Sequence, residues 1–375
     1  MLNHIKVLDL TRVLAGPLCT MMLGDLGADV IKVERAHVGD DTRGWGPPFD
    51  ARGESAYYLS VNRNKFSVAI DLDDPRDIAL LHRLAADADV VVDNFRRGTL
   101  ERRGFDPADV MTRHPRLVWC TITGFGPESD RPGYDFVAQA ECGWMAITGE
   151  VDGEPMKVGV ALADVVAGKD AAISILAALV ARERTGRGQR LYTSLAASAS
   201  AALVNVAQNV LVSGADAARW GNGHPNLVPY QLFRAADRHL VVAVGNDAQW
   251  RACVRALELD ELAADARLAT NAGRVEHRAH VVDAVAARIA TRDAMHWHQR
   301  LEQAGVPSGV VKPVLDVVRE AAASALTGMP PSIGAGGGLR FPPPRLDEHG
   351  PVVRSLGWGA FGSQGPVTST SASSS

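Results

Sequence analysis

Cysteine is scarce. The 375-residue chain has four, Cys19, Cys120, Cys142 and Cys253, too far apart for a CxxC pair or for a His/Cys cluster at metal-ligand spacing. No metal is expected, and reduced thiols in a cytoplasmic setting are. Runs of Lys or Arg are missing, and the formal net charge is -4, which argues against the basic face of a nucleic-acid binder. An anionic ligand would then be held by a few placed arginines. No stretch supplies the ~20 apolar residues of a membrane span. The most apolar one, Ala171 to Val180, is interrupted by Ser174 and followed by Arg182, Glu183 and Arg184, so it reads as a buried helix. The opening MLNHIKVLDL runs straight into a β pattern without a basic segment, apolar stretch and cleavage site, so export is not expected. No internal repeat stands out.

What is present is ordinary for a globular protein: 46% hydrophobic and 22% charged residues, in a length that leaves room for two domains. The N-terminal part alternates short apolar runs with helical stretches: strand Lys6 to Leu10, helix Pro17 to Leu26, strand Asp29 to Val33, strand Ser67 to Leu72, helix Pro75 to Ala86, strand Val90 to Asn94, then Leu117 to Thr123. Runs such as VIKV and VVV suit strands covered on both faces, so a parallel sheet flanked by helices is expected. A long helix should end at Gly186, followed by a strand from Gln189 to Ser194 and one helix from about Leu195 to Val212. The segment Gly221 to Pro225 marks a loop and a domain boundary. From Tyr230 the pattern changes to a strand-like LVVAV (Leu240 to Val244) and several helices. The Gly/Pro-rich stretch after Pro307, including Gly334 to Gly338 and Pro342 to Pro344, needs the rest of the fold to organise it. The terminal SQGPVTSTSASSS is too polar to pack and reads as disordered.

The informative stretch for chemistry is ALADVVAG, residues 161–168, where one carboxylate, Asp164, stands among small and apolar residues at the start of a helix. The plain reading is an N-cap or first-turn acid that satisfies free helix N–H groups. The sharper reading is a nucleophile. A poorly hydrated, ionised carboxylate can attack a thioester, and a helix N-terminus favours the ionised form.

Five ordered segments carry a resemblance. VLDLTRVLAGPLCTMMLGDLGADVIKVE (7–34), NRNKFSVAIDL (62–72), VVVDNFRRGTLERRGF (90–105), KVGVALADVVAG (157–168) and TGRGQ (185–189) resemble the class III CoA-transferase family, the superfamily of formyl-CoA transferase, carnitine CoA-transferase and α-methylacyl-CoA racemase. The resemblance runs from Lys6 to about Pro313. It implies that Asp164 is the nucleophile, that the substrates are an acyl-CoA donor and a small carboxylic acid acceptor, and that no metal or tightly bound cofactor is needed. Leu14, Ala15, Arg35, Ile70, Asp71, Leu72, Asp73, Asn94, Phe95, Arg96 and Arg102 match positions that line the CoA site in relatives; Arg35 and Arg102 suit phosphate groups because a guanidinium offers forked donors that stay charged. Taken singly, each arginine reads as a solvated surface residue, and Phe95 reads equally as core.

Tyr134 in RPGYDF stands where the racemase members carry a histidine, and a group with an ordinary pKa of about 10 is a poor base. Transfer is therefore favoured over racemisation, with Tyr134 as a substrate contact or as a packed aromatic. RWGNGHPNLVPYQLF (219–233) resembles the branch that handles short dicarboxylic acyl groups such as succinyl or glutaryl; Arg219 and His224 are candidates for a distal carboxylate, or simply a surface arginine and a loop histidine. Leu14 replaces the glutamine of formyl-CoA transferases, which argues against oxalate. Two alternatives stay open: a 2-methylacyl-CoA racemase and a non-catalytic CoA-binding protein. A dinucleotide-dependent oxidoreductase is disfavoured, because no GxGxxG follows the first strand.

The fold so implied is α/β: a large Rossmann-like CoA-binding domain with a parallel sheet over 1–212, a linker at 213–229, a small α/β domain over 230–306, and a return through 307–362 to the large domain, before a disordered tail at 363–375. The resemblance also implies an interlocked-ring homodimer, with no nucleic acid or membrane as partner.

Overall fold

A computed structural model describes residues 1–332 and 338–363. Contacts divide the chain into two units: one comprises Met1–Met145, Lys157–Ser213 and the chain from Val318, the other Ala146–Met156 and Gly214–Val317.

The first unit is built on six parallel strands, β1 (Lys6–Leu10), β2 (Asp29–Arg35), β3 (Lys65–Ile70), β4 (Val90–Asp93), β5 (Val118–Thr123) and β6 (Arg190–Ser194). Their order is β3-β2-β1-β4-β5-β6. The central strands β1, β4 and β5 are buried at almost every residue, as expected of a parallel sheet covered on both faces. Helix Pro75–Ala86 begins where expected: the Asp74 carboxylate accepts from Arg76 N–H, and Pro75 fills the first position, which needs no donor. One face of the sheet carries helices Ala15–Asp25 and Leu162–Thr185. The latter spans 24 residues and stops at Gly186, whose φ of +70° is left-handed. The β3 edge is covered by the returning chain: His349 N–H donates to Ser67 O at 3.0 Å, and Asp347 Oδ1 accepts from Ala69 N–H at 2.8 Å.

The second unit holds a three-stranded antiparallel sheet, β7 (Tyr230–Arg234), β8 (His239–Ala243) and β9 (Ser308–Val310). Helices Asp247–Ala256, Arg278–Ile289 and Ala294–Gln303 pack around a core with Trp250 and Trp297. β7 and β9 were not evident as strands, because a short mixed sequence such as SGV carries no period.

The single helix expected from Leu195 to Val212 is two, Leu195–Ala201 and Val204–Ser213, bent by 67°. Val204 takes φ +41°, which an uninterrupted helix does not permit. The second piece buries none of its residues, although it is apolar. Among the described residues no single helix is long and apolar enough to cross a membrane. The four cysteines are free and buried. Most of the glycine run at 334–338 and the tail beyond 363 lie outside the described residues.

Candidate active site

β1 and β4 are neighbours in the sheet, and the chain leaves them toward opposite edges, so a crevice opens beyond their carboxyl ends. The turn after β1 delivers Leu14 and Ala15 to it, and the turn after β4 delivers Asn94, Phe95 and Arg96. These residues, with Tyr134 and Asp164, line one cleft of about 400 Å³. A second cleft of about 300 Å³ holds Arg35, Ile70, Asp71, Leu72 and Asp73, and shares Arg12, Phe95 and Leu100 with the first. Twelve candidates from distant parts of the sequence thus meet at two adjoining hollows, and Phe95 faces both. Arg102 is different: it lines neither, and its Nη2 turns back to Thr99 Oγ1 at 3.4 Å. Arg103, ion-paired with Asp73, occupies the second cleft instead.

Asp164 is the third residue of helix Leu162–Thr185, whose N-cap position is Ala161, so it does not serve as the cap. Its carboxylate accepts no hydrogen bond among the described residues. The capping acid comes from elsewhere: Asp135 Oδ1 accepts from Ala163 N–H at 2.7 Å and from Asp164 N–H at 3.3 Å, while Gln139 Nε2 steadies Oδ2 at 2.6 Å. Burial, followed by the negative charge of Asp135, pushes the Asp164 carboxyl up to about 7. The helix N-terminus favours the ionised form, but burial and the Asp135 charge oppose it here, and the Ala163 and Asp164 N–H groups already donate to Asp135. Sequence reading missed Asp135. It opens its own helix, Asp135–Glu141, and a first-turn acid there needs no second explanation. Burial, then Asp164 and Asp135, also raise the Tyr57 phenol to about 12, so Tyr57 remains a neutral hydroxyl donor.

The sequence pattern of CoA-transferase family III matches residues 2–337. The chain belongs to that family. Succinyl-CoA:glutarate CoA-transferase of Mus musculus is 45% identical over 323 residues, covering 85% of this chain and 74% of the relative. Succinate--glutarate CoA-transferase of Agrobacterium fabrum is 44% identical over 326 residues, covering 84% and 80%. A solved CAIB/BAIF family protein from Brucella suis superposes with a TM-score of 0.83 at 40% identity, covering 94% of this chain and 98% of that one.

Much of what makes this CoA-transferase recognisable in sequence lies beneath the cleft and does not line it. Asp9 of VLDLT, fully buried, accepts from Thr11 Oγ1 and Thr20 Oγ1 at 2.6 Å and from Lys65 Nζ at 3.0 Å. Burial alone would raise the Asp9 carboxyl, but Lys65 and Lys32 outweigh it and hold it below the usual range. Lys65, the last residue of NRNK, also donates to Asn62 Oδ1 and Pro17 O, both at 2.9 Å, and burial pulls its ammonium down to about 8. The small residues of ALADVVAG have a packing reason as well: a Cβ on Gly168 would stand 2.5 Å from Ala15 O. Only glycine lets the long helix approach the cleft wall so closely.

Tyr134 is 59% exposed and lines the cleft, so it is not the packed aromatic that was the alternative. Arg219 is not free for a substrate carboxylate. Its guanidinium donates to Gly153 O at 2.7 Å, Glu150 O at 3.1 Å and Ala146 O at 3.5 Å, tying 146–156 into the second unit. His224 accepts at Nδ1 from Asn226 N–H at 3.0 Å, and burial, then Arg278, depress its pKa. That neutral, occupied ring is a poor anion ligand.

Proposed function

We propose that this CoA-transferase moves CoA between short dicarboxylic acids through covalent intermediates on Asp164. The observation that carries the reading is an unpaired carboxyl, raised to about 7, at the wall of a cleft able to admit an extended thioester. Near neutral pH a large share of Asp164 is ionised, and the same burial that raises its pKa leaves a basic, poorly solvated oxygen. That oxygen attacks the donor's thioester carbonyl; the C–S bond breaks, CoA leaves as thiolate, and a mixed anhydride remains. The thiolate then attacks the Asp164 carbonyl of the anhydride, releasing the donor acid and leaving an aspartyl-CoA thioester. The acceptor carboxylate repeats the sequence in reverse: it forms a second anhydride as CoA departs, and the thiolate takes the acceptor acyl group while Asp164 is restored. Backbone N–H groups at the cleft would stabilise each oxyanion, worth about 3–4 kcal/mol per well-placed donor.

The adjoining cleft, with Arg35 and Arg103, suits the nucleotide end of CoA. Both guanidiniums are now paired with Asp41 and Asp73, surface pairs weak enough to exchange for phosphate. The choice of short dicarboxylic acids rests on the relatives named for succinate and glutarate. The test is to incubate the enzyme with succinyl-CoA and a panel of short mono- and dicarboxylic acids, and to follow new thioesters by mass spectrometry. Glutaryl-CoA as a leading product, with hydroxylamine trapping an activated acyl group on Asp164 only when donor is present, supports the reading. Turnover by Asp164→Ala removes it.

The reading extends to an interlocked homodimer with a CoA-binding domain over 1–212 and a small domain over 230–306. Its support is the apolar helix Val204–Ser213, where Val204, Leu211 and Val212 are 70%, 76% and 79% exposed and need a cover. A stable monomer at micromolar concentration in sedimentation would refute the dimer.

A further inference from the structure

Four residues, 11–14, join β1 to helix Ala15–Asp25, and their backbone is held by side chains from separate parts of the fold. Thr11 N–H donates to Asp9 Oδ1 at 2.9 Å, and Thr11 O accepts from Lys32 Nζ at 2.9 Å. The Asn94 amide pairs with both Arg12 N–H and Arg12 O, at 3.1 and 2.8 Å. Val13 N–H points between the two Asp40 oxygens, at 3.2 and 3.3 Å. Val13 has φ +73°. A β-branched residue leaves that left-handed region unless its surroundings hold it there.

Asp40 is the group that holds it. Its carboxylate also accepts from Thr42 N–H at 3.0 Å, Thr42 Oγ1 at 2.8 Å and Lys32 Nζ at 2.9 Å. Since Lys32 grips Thr11 O as well, the pair clamps the turn on both sides of Arg12. Lys32 and Asp40 form part of the lining of the second cleft, but side-chain exposures of 0% and 1% leave them almost no surface for a ligand. Two residues past Val13, Ala15 lines the cleft with Asp164, and Gly168 of the Asp164 helix packs against its carbonyl. A movement at Val13 therefore reaches the cleft wall almost directly.

We propose that the buried Lys32–Asp40 pair is a positioning device for the transfer reaction, keeping Val13 in its strained conformation so that Leu14 and Ala15 stand in register with Asp164. The inference rests on the reading of Asp164 as the reacting group. Asp40→Asn turns one acceptor oxygen into a donor facing the Lys32 ammonium or the Thr42 donors, and so releases Val13. The expected result is a fall in kcat of about 10²-fold, the scale of an ångström-sized misplacement, with KM for the CoA donor little changed. Val13→Gly added to Asp40→Asn should restore most of the lost kcat, because glycine takes φ +73° without steric cost. A purely structural role predicts neither the split between kcat and KM nor the rescue.

Asp25→Asn is the matched control. It breaks the buried Arg63–Asp25 pair, 2.6 Å, at the far end of the same helix, and should lower the melting temperature while sparing kcat. Wild-type kcat in Asp40→Asn, a double variant no faster than Asp40→Asn, or an equal kcat loss in Asp25→Asn each overturns the inference. Should Asp40→Asn not fold, Asp40→Glu, which keeps the charge but misplaces it, is measured with and without Val13→Gly by the same criteria. Asp164→Asn runs alongside. Turnover by that variant overturns the Asp164 reading and this inference together, whereas a dead Asp164→Asn beside a fully active Asp40→Asn overturns this inference alone.

Discussion

Two groups of carboxylates in the first unit are withdrawn from water and meet opposite fates. Asp9, Glu34 and Asp40 are buried among Lys65, Lys32 and Arg43, and their pKa values fall, that of Asp40 to about 2. Asp164 is withdrawn without a cation and beside another acid, and it rises to about 7. Burial pushes all four the same way; the partner decides the sign. Cations beside a buried acid pull it down, and a second acid beside it adds to the rise.

That contrast can be broken most severely at Asp164 itself. Asp164→Asn is expected to lower turnover by at least about 10³-fold while CoA affinity and the circular dichroism spectrum stay near those of the wild type; a loss of folding instead would move Asp164 into the structural group. Asp9→Ala should do the reverse. It strands Lys65 in a dry site at a cost of about 3–5 kcal/mol, read as a large drop in denaturation midpoint. Gly168→Ala tests the junction between the groups. The added methyl meets Ala15 O, and overpacking of about 1–3 kcal/mol should appear together with a fall in kcat, since the helix carrying Asp164 must shift.

Smaller effects sharpen the comparison. Asp135→Asn removes the neighbouring charge but keeps an oxygen for the cap, so the pKa seen in the acid limb of the kcat profile should fall by about one unit. Stability should follow the same sign. Asp164 has a raised folded pKa, so between about pH 4 and 7 the unfolded chain has lost the proton that the native state keeps, and stability declines with rising pH before levelling off. Asp164→Asn should lack that decline, gaining about 1–2 kcal/mol over wild type at pH 8 relative to pH 4 once partial solvent access is allowed for. Equal pH dependence in the two proteins would mean that the carboxyl is not perturbed.

The elements most legible in sequence were those whose pattern is local. β1, helix Pro75–Ala86 with its Asp74 cap, the Val-rich β4 and the stop at Gly186 each follow from a handful of adjacent residues. The break at Val204 was not legible, because LAASASAALVNVAQNVLV contains no Gly or Pro to mark it, and only the structure shows that the first half is partly buried and the second is not. In the site, the motifs named Asp164 and the two turns beside it. They did not distinguish Arg102 from Arg103, since which arginine faces the hollow depends on where the short helix Thr99–Arg102 ends. Arg219 looked available because the backbone carbonyls it serves lie 66 to 73 residues away.

Sequence by itself therefore determined the family and the alternation of strand and helix, and it singled out Asp164 as the candidate nucleophile, all from residues read in order. Tertiary structure decided what that acid is like. Its neighbour Asp135 comes from 29 residues earlier in the chain, and the loop facing it is pinned by Lys32, Asp40 and Asn94. Electrostatic energy depends on distance through space, and distance along the chain does not supply it.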